Sequence, residues 1–288
     1  MEYYDVPARA HSRRDLPQWF NSSELEWTPA STPVGTVERA RLLSAADDGS
    51  ESATWQLDLP AGWSRSVALP GTIEIFVLGG ELRAGDSAVG TGGFIAVPAG
   101  TASEISTASG TQVLLYSNPQ LGLEDCYPDG QVVVAATRDL PWIFPEDGRG
   151  VAMKTLRVSH PEGGGRGGFL NLLLFLPGFV SPEVEFHNTW EEMFYLDGDF
   201  MMPLRGNAGV GTVHANPGGA LHGPFASQFG SLMLHHALEP YRTDFAHLAG
   251  GLSVAGEYMD TEAFDAERPR TRRWDDAPQG WQSAVHRP

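Results

Sequence analysis

The sequence predicts an all-β protein that contains two copies of one β-barrel domain. Three observations support this class. Short apolar runs are separated by turns rich in glycine and proline along the 288 residues, which include 34 glycines and 21 prolines. No long amphipathic helix interrupts these runs, and regular spacing of this kind is typical of β-sandwiches and barrels. The third observation is an internal repeat, which a chain of this length can accommodate as two domains.

The repeat consists of three blocks that recur in the same order. Residues 74–82 match residues 192–200 at an offset of 118, and residues 92–100 match residues 211–219 at an offset of 119. Leu59-Pro60 corresponds to Leu176-Pro177. We therefore expect a first domain over residues 1–124, a linker over 125–150 and a second domain over 151–288, with irregular N- and C-terminal arms in segments 1–40 and 250–288.

Charge and composition exclude several classes of function. The formal net charge of −17 repels nucleic acid and anionic membranes. One cysteine, Cys126, excludes an internal disulfide framework, and the first residues do not form a secretory signal, so we expect a cytoplasmic protein. Neither a phosphate-binding Gly-Lys-Ser/Thr loop nor the Gly-x-Ser-x-Gly turn of a serine hydrolase occurs in the sequence.

Two motifs of the second repeat resemble those of the cupin superfamily. Glu185-Phe-His187 is followed by Glu191 and Gly198, and Gly211 is followed by Pro217 and His222, with the spacing of the two cupin motifs. The sequence departs from the pattern at Glu185, where the family has a histidine, and at Ala226, where it has an asparagine. The resemblance implies a bicupin with two double-stranded β-helix (jelly-roll) barrels. In detail the second motif set looks like the cupin domains of zinc-binding anti-sigma factors and of bacterial bicupin dioxygenases.

The same residues form a candidate metal site. Side chains alternate along a strand, so Glu185 and His187 point to one face, and Glu191 and His222 enter from neighbouring strands. Two histidines and a carboxylate are the ligands of non-haem iron(II) enzymes, although manganese, zinc, nickel and cobalt bind similar sets. Glu185 has two alternative roles, as a fourth metal ligand or as a catalytic acid or base.

The first repeat has lost these residues. Through the offsets, Glu185 corresponds to Val67, His187 to Leu69, Glu191 to Ile73 and His222 to Ser103. Because three of the four are aliphatic, we expect a structural first barrel with a filled centre.

A second comparison of the repeats suggests a substrate pocket. Ile95 and Val97 of the first copy become His214 and Asn216 in the second, and buried polar groups need partners or a function. His214 is a candidate proton acceptor. Only one of the neighbours His235 and His236 can face inward, and we predict His236. The predicted substrate-binding residues are Asn216, Tyr195, Met193, Met202 and His236.

Three classes of function are compatible with these features. The first is an iron(II) dioxygenase that acts on a small organic substrate. The second is a redox-neutral enzyme, such as an isomerase, lyase, decarboxylase or cyclase, in which the metal polarises a carbonyl group. The third is a non-catalytic sensor similar to the anti-sigma cupins. A small molecule is the expected partner, the first barrel could serve as a dimerisation element in a homodimer, and no nucleic acid or membrane is expected.

Overall fold

A computed structural model describes residue 14 and residues 16–46, 52–145, 150–158, 168–181, 183–202, 205–239 and 242–245. The predicted fold class is confirmed, because these residues form two cupin barrels in tandem from antiparallel strands. The predicted arms before residue 14 and after residue 245 lie outside the described residues. Within the predicted irregular segment 1–40, however, residues 18–21, 28–32 and 35–40 lie in strands. No helix in the described part of the chain is long and apolar enough to cross a membrane.

The strands of the first half are β1 (Gln18–Asn21), β2 (Thr28–Thr32), β3 (Gly35–Ala45), β4 (Ala53–Leu59), β5 (Ser64–Ala68), β6 (Thr72–Ala84), β7 (Ser87–Gly90), β8 (Gly93–Val97), β9 (Ala102–Ser106), β10 (Thr111–Asn118) and β11 (Val133–Ala136). A four-residue helix α1 (Leu123–Cys126) and the 3-10 turns Ser22–Glu24 and Thr137–Asp139 complete this half.

The strands of the second half are β12 (Val151–Val158), β13 (Phe169–Phe175), β14 (Phe179–Ser181), β15 (Glu185–His187), β16 (Glu191–Gly198), β17 (Phe200–Met202), β18 (Gly206–Ala208), β19 (Thr212–Asn216), β20 (Phe225–Ser227), β21 (Ser231–Ala237) and β22 (Thr243–Phe245).

The main sheets of the two barrels have equivalent strand orders. One runs β11-β8-β6-β10-β4-β3-β2 and the other runs β1-β19-β16-β21-β13-β12. Equivalent turns also recur, since Gly80 and Gly198 both have positive φ, and a Cβ on either would collide with the carbonyl oxygen of Gly110 or Gly230 respectively. Only glycine tolerates this conformation and this close approach together, which explains why both repeats keep it.

The segment that precedes each barrel contributes one strand to the other barrel. β1 pairs with β19 in the second barrel, and β11 pairs with β8 in the first. β11 lies within the predicted linker 125–150, and the domain boundaries at 124 and 150 stay a prediction. The exchange follows a further repeat that was not predicted, in which Leu25 and Trp27 match Leu140 and Trp142 at an offset of 115.

Among the described residues, buried apolar side chains form three clusters, one inside each barrel and one between them. The first barrel's interior contains 18 buried apolar residues among those described, against eight in the second. Val67 and Ile73 belong to the first interior, and Leu69 is half-buried. Leu69 and Ile73 also line a cavity of about 440 Å³. Both barrels therefore border a cavity, but the first barrel has the larger apolar interior and has no candidate metal ligands among the described residues that line its cavity.

The interface between the barrels also buries an ion pair. Glu74 of β6 and Arg157 of β12 are fully buried, and Arg157 Nε lies 2.7 Å from Glu74 Oε1. Tyr127 and Asn118 donate hydrogen bonds to the same carboxylate at 2.7 and 2.9 Å. Glu192, the equivalent of Glu74 in the second repeat, is also buried. Both glutamates point out of their own barrels, but the opposite barrel covers them.

Candidate metal centre

Backbone pairing brings the candidate ligands of the second barrel together. Glu185 and His187 lie on β15, which pairs with β22 so that His187 stands opposite Thr243. Glu185 and His222 form a reciprocal pair of backbone hydrogen bonds, each 2.9 Å long. Glu191 begins β16, the strand that follows β15. Three separate segments are thereby fixed around one point inside the barrel.

The functional atoms of these side chains are close to one another. His187 Nε2 and His222 Nε2 are 3.0 Å apart. Glu191 Oε1 lies 3.4 Å from His187 Nε2 and 3.1 Å from His222 Nε2. Glu185 Oε1 is 3.7 Å from each of these two nitrogens. One potential ligand atom from each of Glu185, His187 and His222 lies within 4.8 Å of the other two.

These distances fit a divalent transition-metal ion. Metal–ligand bonds to histidine and carboxylate are about 2.0–2.2 Å long, so ligand atoms at right angles around an ion are about 3.0 Å apart. The two imidazole nitrogens and Glu191 Oε1 are spaced close to this value. Glu185 Oε1 stands farther away, so Glu191 fits as a ligand with less movement than Glu185.

Neighbouring groups orient each of the three side chains. His222 Nδ1 lies 2.9 Å from the carbonyl oxygen of Ala220, which can only accept, so Nδ1 carries the proton and Nε2 faces the site with its lone pair when the ring is neutral. His187 Nδ1 contacts Thr243 Oγ1 at 3.2 Å. Asn216 Nδ2 donates to Glu191 Oε1 at 2.9 Å, and His235 Nε2 contacts Glu191 Oε2 at 3.0 Å. Such contacts orient metal ligands in known metal centres.

The electrostatics of the cluster favour a positive charge. Burial alone would raise the pKa of Glu191, but hydrogen bonds and charges from His222 and His235 lower it well below its usual value. Burial lowers the pKa of His187 to about 4. Burial also lowers the pKa of His222, yet its hydrogen bond with Glu191 and the nearby carboxylate charges raise it above its usual value overall. The carboxylates that favour a proton on His222 would also attract a metal cation.

Glu185 differs from Glu191 in its surroundings. Its side chain is 21% exposed, against 2% for Glu191. Burial and the charges of Glu191 and Glu183 raise its pKa, although His222 and His235 oppose this shift. A carboxyl group with a raised pKa beside a metal site is suited to carrying a proton.

The predicted pocket residues differ in their position relative to the cavity of the second barrel. His214, Tyr195 and Met193 line a cavity of about 470 Å³ that also contacts Glu185, Glu191 and His222. Asn216 forms part of the cluster itself, since its Nδ2 lies 2.9 Å from both Glu191 Oε1 and His214 Nε2. Met202 packs in the apolar cluster beside the cavity without lining it.

His236 does not reach the cavity, which corrects its predicted place. Its ring lies at the interface between the barrels, edge-on to Tyr116 at 4.8 Å and to Trp190 at 5.4 Å. Its neighbour His235 lines the cavity instead. The alternation of β21 forces this choice, because Met233 and His235 share the inward face while Leu234 and His236 share the other.

Trp19 on the exchanged strand β1 also packs beside the site, although none of the sequence motifs predicted it. Trp19 pairs with His214, and their ring centroids are 5.1 Å apart in an edge-on arrangement. Its ring is also 6.4 Å from that of Tyr195. The missed repeat around Trp27 and Trp142 could have identified this segment as part of the barrels.

The first barrel keeps the backbone of the site without its ligands. The amide of Gly100 donates to the carbonyl of Leu69 at 2.7 Å, just as the amide of Gly219 donates to that of His187 at 2.7 Å. Leu69 is therefore the structural counterpart of His187, as the sequence offset predicts.

Fold and site together define a cupin-type barrel protein with a candidate metal centre in its second barrel. The chain belongs to a family described as a domain of unknown function, DUF4437, whose model matches residues 18–215. No protein of curated function matches the sequence.

Several solved structures share the fold. A Nostoc punctiforme protein provisionally described as a dioxygenase is 18% identical with a TM-score of 0.66, covering 82% of this chain and 85% of its own. An oxalate decarboxylase from Lactobacillus farciminis is 12% identical with a TM-score of 0.52, covering 86% of this chain and 99% of its own. An oxalate decarboxylase from Bacillus subtilis with Mn(II) centres is 14% identical with a TM-score of 0.51, covering 90% and 89%. At these identities the likeness shows the fold.

Proposed function

We propose that the chain is a metal-dependent enzyme whose divalent ion is bound by His187, His222 and Glu191. One observation carries the proposal: the two Nε2 atoms and Glu191 Oε1 lie 3.0–3.4 Å from one another beside a cavity of about 470 Å³. Two histidines and one carboxylate with open positions are the ligand set of non-haem iron(II) oxygenases. The activity supported best is therefore an iron(II) dioxygenase that acts on a small organic substrate, while manganese, zinc, nickel and cobalt also suit these ligands.

Each side chain has a definite role in this proposal. A bound iron(II) ion would supply the redox chemistry that amino-acid side chains lack. Asn216 and His235 fix the orientation of Glu191, and the Ala220 carbonyl fixes that of His222. The apolar wall of the cavity excludes water from the reacting molecule. Glu185, 3.7 Å from both histidine nitrogens, is placed to carry a proton to or from the substrate.

His214 is not a proton acceptor in this proposal. Glu191 can only accept hydrogen bonds, so the Asn216 atom that contacts it must be the amide nitrogen, and the same nitrogen contacts His214 Nε2 at 2.9 Å. His214 Nε2 therefore accepts this bond, and the ring is neutral with its proton on Nδ1. Burial lowers the pKa of His214 to about 3. This histidine can donate a hydrogen bond, but its lone pair is already used.

A redox-neutral metal enzyme is the second candidate, and the surroundings of Glu185 favour it. Burial raises the pKa of this carboxyl group, which suits proton transfer in an isomerase, lyase, decarboxylase or cyclase. In such an enzyme the metal would only polarise a carbonyl group of the substrate. The fold shared with oxalate decarboxylases is compatible with this alternative.

The proposal is tested by metal content followed by oxygen consumption. The purified protein should bind one divalent ion per chain, and His187→Ala and His222→Ala should each abolish binding. Leu69→Ala, at the counterpart of His187 in the first barrel, is the matched control and should keep the metal. Stoichiometric metal in a folded double variant would contradict the proposed site.

Oxygen uptake then separates the classes. An iron(II) dioxygenase should consume oxygen with its substrate, whereas a redox-neutral enzyme should turn over without oxygen. A protein that binds metal and small molecules without turnover under either condition would instead support a sensor like the anti-sigma cupins.

A further inference from the structure

The cavity beside the candidate metal centre has an apolar wall. Its volume of about 470 Å³ lies within the range of small-molecule sites, about 300–1,000 Å³. Leu173, Phe175, Phe200, Phe225, Met193 and Met233 are among the residues that line it. Four ring pairs connect its aromatic residues, with centroid separations of 4.4–5.6 Å. Such a wall is complementary to flat apolar rings.

The charged groups around the cavity disfavour an anion. Glu183, Glu185 and Glu191 line it, and no arginine or lysine is among the described residues that do so. A divalent ion already bound to the Glu191 carboxylate could neutralise only one of the two charges of a dicarboxylate, and the described lining offers no fixed cation for the remaining charge. Leaving that charge unpaired in an apolar cavity is costly.

An exposed apolar residue stands at the opening of the cavity. Val180 lines the cavity and is 56% exposed, so it stands at the rim. An exposed apolar residue at an entrance favours apolar ligands over charged ones.

Two buried polar atoms beside the cavity have no partner among the described residues. These atoms are the Tyr195 hydroxyl and His214 Nδ1, and both residues line the cavity. Both atoms carry a proton, because burial and the charge of Glu191 raise the pKa of Tyr195 well above its usual value and the lone pair of His214 faces Asn216. Buried donors of this kind are normally satisfied, and a ligand oxygen could accept from them.

From these observations we infer that the second barrel binds an uncharged, ring-bearing apolar molecule with an oxygen acceptor, in preference to a small dicarboxylate such as oxalate. This inference deepens the proposed function, since the molecule would be the substrate or a close analogue of it. The apolar wall of the cavity, however, consists of residues other than the proposed metal ligands, so ligand binding and metal binding can be measured separately.

The test uses naphthalene, 2-naphthol and oxalate as probes. Binding is measured by calorimetry or fluorescence on the metal-free and the zinc-loaded full-length protein. Naphthalene and 2-naphthol should bind both forms, and 2-naphthol should bind the zinc form at least about tenfold more tightly than oxalate. Oxalate binding equal to or tighter than that of 2-naphthol would overturn the inference, as would failure of both ring compounds to bind.

Two variants locate the binding. Val180→Asp should weaken 2-naphthol binding several-fold, whereas Val210→Asp, at an exposed valine outside the cavity lining, should leave it unchanged. Tyr195→Phe should weaken 2-naphthol binding about fivefold, the usual effect of one hydrogen bond, without weakening naphthalene. Equal effects of the two aspartate variants would mean that the ring compounds bind elsewhere. A protein that binds ring compounds but no metal would contradict the proposed function alone.

Discussion

Replacing Asn216 with alanine tests how the candidate metal site is organised. Asn216 lies on β19 and is 3% exposed, and its single amide nitrogen is 2.9 Å from both Glu191 Oε1 and His214 Nε2. Glu191 Oε1 is also the oxygen that faces His187 and His222. The amide therefore determines where the proposed carboxylate ligand points.

The expected loss can be estimated from this one contact. A hydrogen bond to a charged group contributes about 1.5–3 kcal/mol, and each 1.4 kcal/mol corresponds to about a tenfold change in affinity. If the bond to Glu191 serves to hold the ligand in place, Asn216→Ala should weaken metal binding by about 10- to 100-fold. Loss of other residues that orient metal ligands has effects of this size.

The assay is a competition between the protein and a chelator of known zinc affinity. Asn207→Ala is the matched control, since Asn207 lies on β18 in the same barrel, away from the cavity lining. Thermal unfolding confirms that both variants are folded. The proposed role of Asn216 is wrong if the folded Asn216→Ala variant binds zinc with an affinity within twofold of the parent. It is also wrong if Asn207→Ala loses as much zinc affinity as Asn216→Ala.

Three further predictions concern Glu185, the barrel interface and Trp19. Glu185→Gln should retain the metal but lower turnover by about 10²–10⁴-fold. The reason is that Glu185 Oε1 lies 3.7 Å from both histidine nitrogens, farther than Glu191 Oε1, and is placed to transfer a proton. Loss of the metal in this variant would instead show that Glu185 is a ligand. Glu74→Gln should lower the free energy of unfolding by about 3–5 kcal/mol, measured with denaturant, because it leaves Arg157 buried without its partner. Glu81→Gln, which changes an exposed residue on the same strand, is the control. If both variants lower the free energy of unfolding by the same small amount, the buried ion pair does not stabilise the interface. Trp19→Ala should weaken 2-naphthol binding by about two- to tenfold, whereas Trp27→Ala, which removes the tryptophan stacked on Arg41, should not.

The spacing of residues in the second repeat was sufficient to predict which side chains converge. Glu185 and His187 alternate on one short strand, and the motif spacing placed Glu191 and His222 on its neighbours. Their distances could not be predicted, because they depend on the pairing of β15 with β22 and on the backbone contact between Glu185 and His222. Whether Glu185 or Glu191 stands nearer the histidines is therefore a result of the structure alone.

Residues 231–237 show why orientation was harder to predict elsewhere. β21 carries Met233 and His235 on one face and Leu232, Leu234 and His236 on the other, so both faces are apolar. The interior of the barrel covers one face and the first barrel covers the other, and a strand buried on both sides has no polar alternation to reveal its inward face. The sequence could not decide between His235 and His236 for this reason.

The exchanged strand β1 was missed for a different reason. Its partner β19 lies nearly 200 residues further along the chain, and pairing over such a separation leaves no local signature. Only the weak repeat of Leu25 and Trp27 at Leu140 and Trp142 marks it.

The exchange of strands suggests why a barrel without metal ligands would be retained. β16 carries Glu191 and Met193 on its inner face, while Glu192 and Phe194 on its outer face are buried against the first barrel. β19, which carries His214 and Asn216, has β16 on one side and β1 from the N-terminal half on the other. Both strands that hold Glu191 and its orienting amide are thus supported by the first half of the chain. A second half expressed alone would expose the outer face of β16 and the free edge of β19, and the geometry around Glu191 would lose its support. On this argument the first barrel acts on the site by holding these two strands in place.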